Sequence, residues 1–197
     1  LNIKLINSFN NLKKDKYYDN ERYRAFSLLK INNKKEIEII GNLNFFQSNI
    51  YNQYNGNLLR EYDNIDESIL DDSSFLNIIN TFNNTVNDNF KERNEYIQIH
   101  QIRVYANSST KINLVPEGIH QDGFNMIAIC CVARVNIKGG INNIYNENKK
   151  LVYSSTLNEG EFIIINDNKY YHDVSEIELD DLDKIGYRDI IVLTTIS

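Results

Sequence analysis

A histidine and an aspartate stand two positions apart in a glycine-edged stretch of the sequence, residues 116–123. Side chains at positions i and i+2 of an extended chain point to the same face, so His120 and Asp122 can reach one ion. A second imidazole, His172, lies far downstream. If it returns to that face, the three side chains form the 2-His-1-carboxylate set. This set holds non-haem Fe(II) and leaves positions open for a chelating co-substrate and dioxygen.

Arg188 follows His172 by sixteen residues and begins an apolar, strand-like run. A guanidinium can bind a carboxylate through two parallel hydrogen bonds, so Arg188 is a candidate for gripping a dicarboxylate co-substrate. Simpler interpretations stay open from these residues alone. His120 and Asp122 could be a hydrogen-bonded pair in a surface loop. His172 could be an ordinary residue at the start of an aromatic strand.

The segment from residue 116 to residue 195 resembles the Fe(II)/2-oxoglutarate-dependent dioxygenases. It is most similar to the compact bacterial branch that hydroxylates free amino acids such as isoleucine and leucine. The matching motifs are Glu117-Gly118-x-His120-Gln121-Asp122-Gly123, Arg134-x-Asn136-x-x-Gly139-Gly140, His172-Asp173-Val174 and Gly186-Tyr187-Arg188-Asp189. Softer matches are Phe46-Gln47-Ser48, Tyr51-Asn52 and Gln101-Ile102-Arg103. One departure is Ile141, where the resembled branch leads us to expect an acidic residue.

The resemblance implies that His120, Asp122 and His172 ligate Fe(II). It also implies that Arg188 binds the distal carboxylate of 2-oxoglutarate, and that O2 is the other co-substrate. The implied reaction is hydroxylation of a small substrate, a free L-amino acid, with release of succinate and CO2. Candidates for holding that substrate are Gln101, Arg103 and Glu117.

The length, charge and composition of the chain limit its domain count, its partners and its cellular compartment. At 197 residues the sequence predicts a single domain over residues 1–197. The formal net charge of −6 and the lack of a Lys/Arg cluster argue against a nucleic-acid partner. With no apolar run of membrane-spanning length and no signal-peptide pattern, we expect a cytoplasmic protein with no membrane partner. The adjacent Cys130 and Cys131 fit buried thiols on opposite strand faces in a reducing compartment. The oligomeric state is left open.

The first half of the sequence predicts a supporting region, residues 1–95. Apolar residues at helical spacing predict a short helix that ends near Lys13-Lys14, and strands are expected over residues 23–29 and 36–40 with a turn at 32–35. Ser73-Ser74 is expected to cap a longer helix. Its apolar stripe, Phe75, Leu76, Ile78, Ile79, Phe82, Val86 and Phe90, is interpreted as core packing.

From residue 96 onward the pattern alternates with a period of two. Strands are predicted over residues 96–106, 124–137, 141–145, 161–165, 171–179 and 189–196. Short strands without helices between them favour a mainly β protein with flanking helices. Among such folds, a cupin-like double-stranded β-helix, or jelly roll, over residues 96–197 would bring the metal candidates and Arg188 to one open end. The family resemblance implies the same fold.

Two other functions compete with the dioxygenase. One is a non-oxygenase cupin-type isomerase or epimerase on the same scaffold. Cupin metal sites draw on more than two histidines, and here only His100 could supply another. The other is a non-catalytic β-sandwich binding protein in which the three candidate ligands never meet.

Overall fold

The computed structural model of the chain describes residues 1–32, 36–41, 43–90 and 94–196. Two α-helices lie in these ranges, α1 at Ile3–Ser8 and α2 at Ser73–Phe90. Single 3-10 turns follow α1 at Phe9–Asn11 and precede α2 at Glu67–Ile69. The α1 helix ends earlier than its sequence pattern predicts, because Lys13–Lys14 forms the first strand, β1. The expected turn at 32–35 lies largely outside the described residues.

The larger sheet contains the strands β1 Lys13–Lys14, β2 Arg22–Ile31, β3 Ile37–Ile39, β4 Tyr96–Ala106, β5 Met126–Val135, β9 Phe162–Asn166 and β12 Gly186–Thr195. It is antiparallel, and in the described ranges its order is β1-β2-β4-β12-β5-β9, with β3 also paired to β2. The central strands are held in long, continuous registers, such as Gly186↔Ala106 to Thr195↔Ile97 between β12 and β4.

Shorter strands form a second layer: β6 Ile137–Gly139, β7 Asn142–Tyr145, β8 Leu151–Ser155, β10 Tyr171–Val174 and β11 Ile177–Leu179. In this layer β10 pairs with β7, β7 with β8, and β11 with β6. Isolated bridges at Ile112↔Ile177 and His120↔His172 add the segment before β5 to this layer. The expected strands 124–137 and 171–179 are therefore each divided in two. Asn136 divides the first because its φ of 48° interrupts the extended backbone.

The α2 helix covers the outer face of the larger sheet. Its cap is Asp72, not the expected Ser73-Ser74, because the Asp72 carboxylate accepts hydrogen bonds from the backbone N–H groups of Ser74 and Phe75 at 2.9 and 3.0 Å. The stripe packs as expected, and its buried members are Phe75, Ile78, Ile79, Phe82 and Val86. They contact alternate residues of β2, β4, β5 and β12 in one apolar cluster. This packing holds one face of the sheet rigid and leaves the other for a site.

The prediction of a mainly β protein with flanking helices is confirmed, and the structure adds that the paired strands are antiparallel. Both cysteines are buried free thiols, and Cys130 belongs to the cluster under α2. Across the described ranges, no helix combines the length and the apolar character that crossing a bilayer requires. The single-domain assignment stays a prediction.

Candidate metal centre and cofactor cavity

His120 and His172 face each other across an antiparallel bridge. The backbone N–H of His120 donates to the carbonyl of His172 at 3.0 Å, and the N–H of His172 donates back to His120 at 2.8 Å. Directly opposed residues in such a pair project their side chains to the same face. The ring centroids are accordingly 4.3 Å apart. Main-chain pairing therefore sets the spacing of the two imidazoles.

Asp122 places its carboxylate between the two imidazoles. Its Oδ1 lies 3.5 Å from His120 Nε2, and its Oδ2 lies 3.4 Å from His172 Nε2. One nitrogen or oxygen from each of the three residues falls within 4.8 Å of the others. Ligand atoms about 2 Å from a shared divalent ion lie roughly 3 Å apart when they are at right angles. The three side chains therefore fit one ion with little movement.

Hydrogen bonding leaves the Nε2 atom of His120 facing the carboxylate. Its Nδ1 lies 2.8 Å from the carbonyl oxygen of Gly118, an acceptor, so Nδ1 carries the proton that is donated. Metal-binding histidines are commonly oriented by such a second hydrogen bond. Burial disfavours the charged ring, but the hydrogen bond to Asp122, the charge of Asp122 and the hydrogen bond to Gly118 together outweigh burial and raise the pKa of His120 to about 9. In the protein without metal, a proton on His120 thus occupies the place that a cation could take.

The Asp122 carboxyl is strongly biased toward its anionic form. Burial would raise its pKa, but hydrogen bonds from His120 and His172 hold the pKa of Asp122 well below its usual range. Gln47 adds a third interaction, because its Nε2 donates to the Asp122 backbone carbonyl at 2.9 Å and to Oδ1 at 3.1 Å. A carboxylate fixed as an anion between two imidazoles is a ready ligand for a divalent metal.

A second buried carboxylate, Asp167, anchors the loop that carries Asp122. It accepts hydrogen bonds from the backbone N–H groups of Asp122, Gly123 and Phe124 at 2.9, 2.8 and 3.1 Å. Its Oδ1 also lies 3.8 Å from His172 Nδ1. Gly123 has a φ of 87°, and a Cβ there would lie 2.4 Å from the Tyr51 ring, so this turn requires glycine. Asp167 thus holds one ligand and faces another.

Asp122 and His172 line a cavity between the two layers. Arg188 lines it from β12 and is 4% exposed. Its Nη2 donates a hydrogen bond to Asn142 Oδ1 at 3.2 Å, whereas its buried Nε has no hydrogen-bond partner among the described residues. Burial lowers the pKa of Arg188 to about 10. A buried guanidinium with a free donor is suited to an incoming carboxylate.

Gly140 lies beside Arg188 in a backbone conformation that favours glycine. Gly140 has a φ of 67°, and a Cβ there would lie 2.9 Å from Arg134 Nη1 and 3.4 Å from the Cδ atom of Arg188. The Gly139-Gly140 pair of the sequence therefore has a local role beside the cavity.

The sequence profile of the 2OG-Fe dioxygenase family matches residues 6–194. The chain belongs to this family. Enzymes of the family use Fe(II) and 2-oxoglutarate, and the convergence of two imidazoles and a carboxylate beside a buried arginine fits both. No curated protein matches the sequence.

Solved structures share the fold of this dioxygenase at low sequence identity. A BsmA homologue from Methylobium petroleophilum PM1 has a TM-score of 0.86 at 18% identity, over 98% of this chain and 80% of that one. IDO from Bacillus thuringiensis has a TM-score of 0.75 at 20% identity, over 96% and 82%. The Fe(II)/α-ketoglutarate-dependent dioxygenase TqaL has a TM-score of 0.68 at 12% identity, over 98% and 75%.

The structure does not bring two predicted substrate residues to the cavity of the dioxygenase. Gln101 and Arg103 share a face of β4, and it is opposite the face whose residues His100, Ile102 and Val104 line the cavity. Gln101 donates to Ser8 Oγ at 2.8 Å, and Arg103 forms a bidentate ion pair with Asp189 at 2.7 and 2.6 Å. The prediction failed because strand alternation says which residues share a face but not which face the second layer covers. Glu117, the third candidate, does border the cavity, where its carboxylate accepts from the Tyr18 hydroxyl at 3.3 Å.

Sequence reasoning missed three arginines on the cavity wall, Arg22, Arg24 and Arg60. A signal was present for two of them, because Arg22 and Arg24 alternate at the start of β2 and so point to one face. It also missed Asp167, which the sequence places in an ordinary polar turn. Asn142, the partner of Arg188, has no distinguishing signal in the Asn-rich sequence around it.

Proposed function

We propose that this enzyme hydroxylates a small substrate, a free L-amino acid, and releases succinate and CO2 from 2-oxoglutarate. The site would lie at the open end of a jelly roll, the double-stranded β-helix that the resemblance implies. The observation that carries the proposal is the meeting of His120, Asp122 and His172 within 4.8 Å, beside an arginine whose Nε is unpartnered among the described residues.

His120, Asp122 and His172 would hold the metal through Nε2, a carboxylate oxygen and Nε2. Bound Fe(II) and 2-oxoglutarate supply oxidising chemistry that uses dioxygen to hydroxylate a C–H bond. The residues of the chain contribute placement. The bridge between His120 and His172 fixes the two rings, and the hydrogen bond from Gln47 to Oδ1 orients the Asp122 carboxylate.

Arg188 would bind the distal carboxylate of 2-oxoglutarate. Its burial makes the carboxylate contact strong, because water competes poorly for a guanidinium inside the protein. The neighbouring walls are apolar, with Ile102 and Val104 from β4 and Ile190 and Val192 from β12. They would exclude water from the reacting groups and limit uncoupled oxidation.

The amino-acid assignment is supported by the resemblance to free-amino-acid hydroxylases and by the charged residues at the cavity. Glu117 offers an acceptor for an ammonium group, and it remains the proposed substrate residue from the sequence. Gln101 and Arg103 contact Ser8 and Asp189 on the outer face of β4, so the proposal gives them no contact with the substrate.

The two competing functions fit less well. In a cupin-type isomerase, His100 would join the metal set, but the described residues place it outside that set, with Nδ1 accepting from Arg24 Nε at 3.2 Å. A binding protein with dispersed ligands is inconsistent with the convergence of the three side chains.

A succinate-release screen tests the proposal. Wild-type enzyme is given Fe(II), ascorbate, 2-oxoglutarate and each proteinogenic L-amino acid, with His172→Ala as the control. We expect at least one amino acid to raise succinate release above the substrate-free rate, and no release from the variant. If the wild type makes succinate without any amino acid raising the rate, the amino-acid assignment fails. If it never makes succinate and never binds 2-oxoglutarate, the proposed reaction fails as a whole.

A further inference from the structure

Buried arginines on the cavity side of β2 and on the loop before α2 outnumber their acidic partners. Arg22 and Arg24 are 6% and 7% exposed, and Arg60 is 1% exposed. All three line the same cavity as Arg188. Like charges that are side by side and desolvated destabilise a fold unless anions accompany them. The carboxylates near them therefore decide what this wall can do.

Asp15 accompanies only one of the three closely. It is buried, and its Oδ2 lies 4.0 Å from Arg24 Nη1. Arg24 also donates to His100 Nδ1, a neutral acceptor, because burial and then the charges of Arg24 and Arg60 hold the pKa of His100 well below its usual range. Arg24 is thus partly compensated.

Arg22 has neutral partners in the described ranges. Its Nη2 donates to the backbone carbonyl of Leu114, its guanidinium lies 4.1 Å from the centre of the Tyr18 ring, and its buried Nε has no hydrogen-bond partner there. Arg60 is similar, with Gln47 Oε1 at 3.3 Å, the Phe45 ring at 4.5 Å and an unpartnered Nε within the described part of the chain. Neither forms an ion pair with a described carboxylate within 4.0 Å.

The register places Arg22 and Arg188 on one transverse row of the sheet. Val104 of β4 is opposite Arg22 on one side and opposite Arg188 on the other. Neighbouring strands are about 4.8 Å apart, so the two arginine Cα atoms are separated by roughly 10 Å. The two guanidiniums can therefore serve two anions side by side.

We propose that Arg22 is the centre of a second anion subsite, with Arg24 beside it, and that this subsite takes the carboxylate of the primary substrate. The inference rests on the proposed function, in which Arg188 binds 2-oxoglutarate. The ring of Tyr18 lies against Arg22, and its hydroxyl donates to Glu117. An acceptor for an ammonium group thus stands beside the anion subsite, as an α-amino acid requires.

The test uses protein loaded with Ni(II) and 2-oxoglutarate, so that a third ligand is measured without turnover. Melting temperature and calorimetric affinity are recorded with isobutyrate against isobutyramide and with L-leucine against L-leucinamide. Sodium chloride at equal ionic strength is the electrolyte control. We expect the carboxylates to bind and stabilise the loaded enzyme, and the amides of the same shape to be at least about tenfold weaker.

Variants assign the effect to Arg22. Arg22→Met should weaken carboxylate binding by about tenfold or more while leaving 2-oxoglutarate affinity unchanged, and Arg22→Lys should retain part of the binding because it keeps the charge but loses the planar fork. Lys111→Met, at a side chain that is 62% exposed, controls for the loss of one positive charge.

Three results would overturn the subsite: amides that bind as well as acids, an Arg22→Met variant that binds isobutyrate like the wild type, or a loaded wild type that neither carboxylate stabilises. In each case, retained binding of 2-oxoglutarate would leave the proposed reaction standing. If Arg22→Met fails to fold, Arg22→Lys and the comparison of acid with amide in the wild type still decide.

Discussion

Arg188 and Asp189 are consecutive residues of β12 and lie on opposite faces of one sheet. Asp189 has a charged partner in the fold, whereas Arg188 has none among the described residues. On the helix side, Asp189 accepts a bidentate ion pair from Arg103 of β4. On the cavity side, Arg188 contacts the amide oxygen of Asn142 and no described carboxylate within ion-pair distance. Burial would lower the pKa of Arg103, but Asp189 outweighs it and raises that pKa above its usual value. The pKa of Arg188 falls to about 10.

The difference separates an arginine that completes the fold from one that awaits a ligand. When a buried guanidinium is paired with a carboxylate, the ion pair offsets the desolvation cost of both groups. Removing the guanidinium then leaves a buried carboxylate without a partner. The desolvation cost of an unpaired buried guanidinium is offset only when an anion binds to it. The same contrast applies to histidines, since His100 is held neutral among arginines while His120 and His172 face Asp122.

The largest effect is expected at the metal ligands. His172→Ala removes one of the three ligands, so Fe(II)- or Ni(II)-dependent stabilisation and succinate release should be lost. His100→Gln, which changes the one histidine of the sequence outside the metal set, should keep metal-dependent stabilisation. Melting temperatures with and without metal measure this, because an ion that binds only the folded state raises the midpoint. Equal loss of metal binding in both variants would contradict the distinction between the histidines.

The next effect divides the two arginines. Arg103→Met should lower the free energy of unfolding by about 3–5 kcal/mol, because Asp189 is left buried and unpaired, and 2-oxoglutarate affinity should persist. Arg188→Met should keep the free energy of unfolding near that of the wild type and lose 2-oxoglutarate affinity. Denaturant unfolding and calorimetric titration of 2-oxoglutarate measure the two quantities. A variant pair with the reverse pattern would invert the assignment of the faces.

The sequence predicted what depends on local alternation and on family motifs. His120 and Asp122 are brought together by their spacing, and the apolar stripe of α2 packs as its period requires. The sequence could not say which face of β4 the second layer covers, so it offers Arg103 as a substrate candidate although Arg103 pairs with Asp189 on the other face. That choice depends on contacts between residues far apart in the chain.

The cavity-side arginines show the same limit. Arg22 and Arg24 alternate visibly, but only the folded protein shows that Arg22 lacks a carboxylate in the described ranges. Asp167 has no local signal at all. A polar turn becomes a support for Asp122 only because β9 ends beside the loop of residues 120–124.

A smaller effect is expected from that support. Asp167→Asn replaces a carboxylate that accepts three backbone N–H groups and faces His172, so the loop and the ring lose part of their orientation. Changes to groups that orient metal ligands weaken metal binding by about 10–100-fold, and we expect a loss in this range for Ni(II). The control is Asp173→Asn, whose carboxylate accepts from Asn143 and Tyr145. Equal Ni(II) affinities in Asp167→Asn and the wild type would remove the orienting role.

The smallest effect sharpens the contrast between the histidines through pH. Burial, then Arg24 and Arg60, hold the pKa of His100 below its unfolded value of 6.5, against the attraction of Asp122. Because the folded pKa is the lower one, the unfolded chain binds the extra proton. The contribution of neutral His100 to stability is therefore present above pH 6.5 and is lost as the pH falls below it. Relative to His100→Gln, the metal-free wild type should lose up to about 1.4 kcal/mol of unfolding free energy per pH unit in that window. Denaturant unfolding between neutral and mildly acidic pH measures the difference, and parallel curves for the two proteins would show that His100 is protonated as readily in the fold as outside it.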